Sequence, residues 1–325
     1  MESWRKYLDE AFKEDEGFKA YVDEAFTDIG TGKTIKQPVS MASGLEKVEE
    51  YKDKIWVFFD TETTGFGSKR NAITEIAGVA VNPNSWDKPP VVAKTFSQKA
   101  KLTPDVKGRD PESEWGKETK WVLGMTRYGE KNAPKGRFIP EKEMIEKFYE
   151  WLASLGDIVL VIQNARFDMN MISVRYNADP DTGIATGKGS VGKELPRYPI
   201  IDTIPIIKQY LIPYFKTKAA AGDEEAEIFL SKLVSKKGKK DSASQGPVAS
   251  AFGIPIIGWH AAIDDVKMLM QIFQKAVDTM RSGADVDIRG EFEKVTKKPQ
   301  TRHQKLKSLR KRQKDRRERK KEREA

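Results

Sequence analysis

The stretch Ile55-Trp-Val-Phe-Phe-Asp-Thr-Glu-Thr-Thr-Gly65 decides how the chain folds. Its first five residues are apolar without a break, the pattern of a central strand covered on both faces. Strand side chains alternate, so Asp60 and Glu62 point to the same face. Two carboxylates side by side at the end of a buried strand repel each other and lose hydration. A divalent cation would remove that penalty. The plainer alternative is that both side chains reach water where the strand emerges.

Working outward, the spacing of apolar residues predicts further strands over 72–81, 91–96, 158–162 and 198–203. Between the second and third of these, residues 100–140 read as a long irregular stretch. Met144, Ile145, Phe148, Trp151 and Leu152 make one helical stripe over 141–155, and another helix is expected from about Asp168. Val266, Leu269, Met270, Phe273, Val277 and Met280 make the stripe of a last helix over 264–281, with Gly283 as its stop. Residues 178–197 and 235–247 read as loop insertions. Ahead of the strands, Trp4, Leu8, Phe12, Phe18, Tyr21 and Val22 recur at helical spacing over 1–27, followed by a connector over 28–45. Within it, Gly30-Thr-Gly-Lys-Thr34 resembles a phosphate-binding loop but has Thr27 where that motif needs its first Gly, and no strand precedes it. The organisation expected is an N-terminal helical extension and linker (1–50), an α/β body (51–285) and a basic tail (286–325).

Composition narrows the chemistry. The 325 residues include no Cys and two His, His260 and His303. Disulfides, thiol nucleophiles, Cys-ligated zinc and multi-His metal sites are thereby excluded. No segment has the apolar length of a membrane span, and the first residues lack a signal core. The sequence reads as that of a cytoplasmic protein of a bacterium, or of a host cell if phage-encoded. The net charge of +9 is unevenly placed: residues 294–325 hold 16 Lys+Arg and 4 Asp+Glu, a net of +12, which leaves −3 for residues 1–293. A run so poor in apolar residues buries no face and is expected to be disordered alone. It suits nucleic acid, with a solubilising tail as the bland alternative.

Two further segments place carboxylates at the ends of core elements. Gln163-Asn-Ala-Arg-Phe-Asp168 follows the fourth strand, and His260-Ala-Ala-Ile-Asp-Asp265 opens the last helix. Asp264 or Asp265 alone could be a charge favoured by the helix dipole. Taken in order, Asp-Thr-Glu-Thr-Thr-Gly, Asn-Ala-Arg-Phe-Asp and His-x-x-x-x-Asp resemble the three exonuclease motifs of the DEDD superfamily, in its DEDDh or DnaQ-like branch. The resemblance spans about residues 54–281, and Val122-Leu-Gly-Met-Thr-Arg-Tyr is similar to the short segment this family carries between its first two motifs. Two departures stand out: Gln163, where many members have His, and the basic loop at 235–247.

The resemblance implies an RNase H-like mixed five-stranded sheet flanked by helices. It implies that Asp60, Glu62, Asp168 and Asp265 hold two Mg²⁺ or Mn²⁺ ions, hard cations suited to oxygen ligands. His260 would take a proton from the attacking water. Thr63, Gly65, Phe66 and Asn164 would bind the terminal nucleotide, and Lys236, Lys237, Lys239 and Lys240 would track phosphates or simply be solvated. The implied activity is removal of nucleoside 5′-monophosphates from a free 3′ end, with DNA taken as the substrate. An exoribonuclease of the same fold and a proofreading subunit held by a polymerase or replication partner are alternatives. A non-catalytic nucleic-acid adaptor is disfavoured, because all four carboxylates and the His are present.

If the tail binds nucleic acid, its deletion flattens the salt dependence. Each phosphate neutralised on a single strand contributes about −0.7 to the slope of log affinity against log salt. A tail touching about five phosphates therefore gives the full chain a slope steeper by about 3.5 than a variant lacking residues 294–325. Binding titrations on a long oligonucleotide at several salt concentrations check this, and matching slopes would remove that role.

Overall fold

The computed structural model describes residues 41–65, 67–69, 71–82, 92–101, 137–180, 183–185, 194–235, 238, 240–256, 261–288 and 291. The expectations for residues 1–27, the segment 122–128 and the tail lie outside them.

Strand β1, Ile55–Thr63, pairs antiparallel with β2, Ile73–Val81, which pairs antiparallel with β3, Val92–Lys101. On its other side β1 runs parallel to β5, Ile158–Ile162, and β5 runs parallel to β6, Ile200–Asp202. A short strand β4, Phe138–Pro140, lies parallel to the end of β3, so among the described residues the sheet has six strands in the order β4-β3-β2-β1-β5-β6. The mixed order, three antiparallel strands followed by two parallel ones, is the RNase H-like arrangement anticipated. The count differs by one, because β4 is three residues long and ends on a proline inside a stretch with no apolar period. Strand β3 also runs five residues past its expected end: beyond Phe96 it is Ser-Gln-Lys-Ala-Lys, where one face meets water and apolar residues are few.

Helices cover both faces. Residues Trp56 and Phe58 of β1 point to one side, where helix α8, Ala262–Ser282, lays Phe273 against both rings at centroid distances of 5.3 and 5.6 Å. The same core takes in Met41 and Val48 of helix α1, Met41–Glu49. That helix starts inside the expected connector, because its Gly and Ser residues mask the spacing of Met41, Leu45 and Val48. The rest of this layer comes from α4, Thr203–Ile206, a π-helical turn Ile207–Leu211, α5, Ile212–Ala220, α6, Glu224–Lys232, and α7, Gln245–Ala251. Gly283 ends α8 at φ −100°, not in a left-handed turn; its lack of a side chain matters because a Cβ there would collide with the Tyr214 ring. On the opposite side Val57 and Phe59 pack under helix α2, Glu141–Ala153, and helix α3, Ala165–Arg175. Trp151 lies over Gly78 so closely that a Cβ there would come within 2.9 Å of its ring.

One ion pair ties this second layer to the turn after β1. Arg175, 1% exposed, donates through Nε and Nη2 to the two carboxylate oxygens of Glu141 at 2.9 and 2.5 Å. Its Nη1 donates to the carbonyls of Gly183 and Ser68 at 2.7 and 3.3 Å. The Ile73 amide also donates to Glu141, at 2.7 Å. Burial raises the Glu141 carboxyl above its ordinary value, and Arg175 and the Ile73 amide oppose that. Removing one partner of a buried pair strands the other, at a cost of about 3–5 kcal/mol. Arg175→Met is therefore expected to lose about that much in urea unfolding, with a smaller loss when Glu141→Gln is added. A loss under about 1 kcal/mol, the value of a surface pair, would contradict the assignment.

Candidate active site

The carboxylates collect where β1 outruns its parallel neighbour. The β1–β5 ladder ends at Phe58 and Val161, while β1 continues to Thr63. From the α8 side, Asp265 in the first turn of α8 meets Asp60 and Glu62, and the three can offer carboxylate oxygens all within 4.8 Å of one another. Among the described residues this is the one such group. Asp264 is turned aside, its Oδ1 3.1 Å from Lys267 Nζ.

Asp168 approaches from the other layer. It lies in α3, 2% exposed, and its Oδ1 accepts from the Thr61 hydroxyl at 2.6 Å and the Thr61 amide at 3.2 Å. That amide is one left without a strand partner on the β5 side. Asp168 is outside the three-residue group, yet its charge is, after burial, the largest influence raising Asp60. The turn into α3 is held by a residue that sequence reading passed over. Buried Asp202, at the end of β6, accepts from the amides of Asn164, Ala165 and Ile204 at 3.1, 3.0 and 2.9 Å. One carboxylate thus satisfies amides at the starts of both α3 and α4. An Asp just before a Thr at a strand end is a capping signal that could have flagged it.

The remaining sequence-derived candidates are placed as follows. Asn164 is left-handed, at φ +65°, and half-buried; its side chain makes no capping hydrogen bond. Thr63 donates its hydroxyl to the Gly65 carbonyl at 3.1 Å. Gly65 sits at φ +155°, and a Cβ there would come within 2.7 Å of Asn71 Oδ1, so only glycine fits this turn. Asn71 in turn donates to the Gly67 carbonyl, and Thr64 donates to Asn71, which closes the loop. Phe66, His260, Lys236, Lys237 and Lys239 lie outside the described residues; Lys240 is exposed. The two departures from the family pattern touch: the Gln163 amide donates to the Ala243 carbonyl at 2.5 Å and also accepts from the Thr203 hydroxyl.

Crowding sets the electrostatics. Burial raises Asp60 well above its ordinary value, with repulsion from Asp168, Glu62, Asp265 and Glu75 added in that order. Glu62 is pushed up to about 8, by burial first and then by Asp265. Asp168 rises to about 7 through burial despite the Thr61 hydrogen bonds, and Asp265 to about 6, again through burial. Asp202 rises to about 6 by burial, against its three amides. Without a cation, this site holds protons near neutral pH. An all-oxygen, multiply anionic donor set fits a hard divalent ion, whose binding would displace those protons.

Comparisons with known proteins bear on this site. The chain is 26% identical over 238 residues, 73% of its length, to a PolC-type DNA polymerase III of Clostridium perfringens, and covers 12% of that protein. It is 26% identical over 174 residues, 51% of its length, to the PolC-type DNA polymerase III of Listeria innocua, and covers 9% of it. The chain thus spans about a tenth of the length of the curated relatives it matches. Among solved structures it is similar to E. coli exonuclease I in complex with a dT13 oligonucleotide, with a TM-score of 0.47 and 14% identity, over 70% of this chain and 42% of that one. No protein-family model matches it.

The raised carboxyls carry a linkage. A group whose folded pKa exceeds its unfolded value binds more protons when folded, so its contribution to stability is present at low pH and lost as pH rises. For Glu62 the window runs from its ordinary 4.5 to about 8. In metal-free buffer, Glu62→Gln should melt near wild type at pH 5 and clearly above it at pH 8.5. A gap of about 3 °C or more is expected, since about 1 kcal/mol moves a domain of this size roughly 2–4 °C. A gap that stays constant with pH would contradict the raised carboxyl.

Proposed function

We propose that the protein is a metal-dependent exonuclease that hydrolyses nucleic acid from its 3′ end to nucleoside 5′-monophosphates, with DNA as the favoured substrate. The observation that carries this reading is the convergence of Asp60, Glu62 and Asp265 within 4.8 Å, with Asp168 bonded to the residue between the first two. Asp60, Glu62, Asp168 and Asp265 would hold two Mg²⁺ or Mn²⁺ ions. Such ions supply the positive charge and Lewis acidity that phosphodiester displacement needs.

The chain's own groups divide the remaining work. Thr61 fixes Asp168 by two hydrogen bonds, so that this carboxylate keeps its position as charge builds and decays beside it. Asp202 fixes the start of the helix that carries Asp168. His260 takes the proton of the attacking water, a role suited to a side chain whose ordinary pKa is about 6.5. The Thr63–Gly65 turn offers backbone without side-chain bulk for the terminal nucleotide, which Phe66 and Asn164 would also bind. The basic residues of 294–325 would neutralise phosphates along the strand. Likeness to PolC-type DNA polymerase III supports DNA over RNA and a polymerase as a partner.

End-labelled single-stranded DNA, duplex DNA and RNA, each with Mg²⁺ and with Mn²⁺, test the reading. The expected outcome is stepwise shortening from the 3′ end to mononucleotides, fastest on DNA, and reduced to background in a folded Asp60→Ala variant. Near-normal activity in that variant would sink the assignment of Asp60.

A further inference from the structure

A fifth carboxylate faces the site and has no part in the mechanism above. Glu75 lies near the start of β2, in direct register with Glu62 across the antiparallel pair, and Ala77 two residues on is in register with Asp60. Paired residues of an antiparallel ladder share a face, with Cβ atoms about 4.5–5.5 Å apart. Glu75 therefore stands on the α8 side of the sheet, beside the ligand cluster. It is 5% exposed, and its neighbours Ile73, Thr74 and Ile76 are also buried.

Its visible partners are weak. Ser97 Oγ and Lys99 Nζ, both from β3, stand 3.4 Å from its two oxygens. That distance is at the outer limit of hydrogen bonding. The Lys99 side chain is 38% exposed, so its charge is largely spent on water. Carboxyl groups directly opposite in a sheet crowd each other, and burial takes water from both. The structure thus sets a buried carboxyl beside the cluster with two distant partners from β3. Register sets it beside Glu62, whose carboxylate lies within 4.8 Å of those of Asp60 and Asp265.

We propose that Glu75 is a positioning residue of the metal centre, which raises the site's affinity for divalent cations by its charge without entering the ligand set, and that Lys99 sets how much of that charge the site feels. The inference rests on the reading of Asp60, Glu62 and Asp265 as metal ligands. Three strands contribute one residue each to this relay, in the order Glu62, Glu75, Lys99, and register alone brings them into line.

The two variants move cation binding in opposite directions. In calorimetric titration of the full chain with Mn²⁺, no nucleic acid present, Glu75→Gln is expected to bind about 10–100-fold more weakly, as for other groups just outside a metal's ligands. Lys99→Met is expected to bind more tightly, by up to about fivefold, the scale of a half-exposed charge pair. Melting in the absence of metal supplies a second readout. Relief of repulsion should raise the Glu75→Gln midpoint, whereas a purely structural Glu75 would leave Mn²⁺ affinity unchanged and lower the midpoint. Unchanged affinity in both variants, with wild type binding normally, overturns this inference and leaves the ligand reading intact. A wild-type chain that binds no Mn²⁺ overturns both. If Glu75→Gln does not fold, Lys99→Met decides alone, and unaltered or weaker binding in it counts against the inference.

Discussion

Repulsion among carboxylates packed at the end of β1 is the constraint on which the site depends. Asp60, Glu62 and Asp265 converge within 4.8 Å and Asp168 flanks them, while burial removes the water that would normally separate such groups. An arrangement of this kind is unfavourable by itself. It persists because the fold fixes the elements that carry these side chains, while the Glu62 and Asp265 carboxyls share a hydrogen bond. A cation converts the same crowding into affinity.

The scaffold achieves this by a mismatch of strand lengths. Because β1 continues past the β5 ladder, its last residues present a free backbone edge at the level of the carboxylates. Asp168 takes the Thr61 amide there, so a helix from one layer is pinned to a strand whose acidic residues face the other. Asp202 anchors that helix from behind. The Arg175–Glu141 pair anchors its far end and, through the Ser68 carbonyl, the loop that follows β1. On the opposite layer, Phe273 against Trp56 and Phe58 sets α8, and with it Asp265. The four carboxylates are thus placed by three core elements, β1, α3 and α8.

Much of this was legible in the sequence, for physical reasons that differ by element. The unbroken run before Asp60 could only be a covered strand, and the long stripe of α8 could only be an amphipathic helix. Three short motifs then put four carboxylates at element ends. What escaped notice shared a property: the residue's partner is far away in sequence. Asp202 reads as the end of a strand, yet its carboxylate serves amides 37 and 38 residues earlier as well as its own helix. Glu75 is a lone charge in an apolar strand, and only register shows that it faces Glu62. The polar half of β3 and the three residues of β4 carry too few apolar side chains to announce a strand.

The central claim is that this carboxylate crowd is a cation site that trades protons for metal. Calorimetric titration of the wild-type chain with Mn²⁺ at pH 7, in two buffers of different ionisation enthalpy, tests it most directly. The account predicts saturable binding whose heat differs between the buffers by the amount that net proton release requires, with more protons released at pH 6 than at pH 8. Heats no larger than dilution, or binding with no buffer dependence, would contradict it.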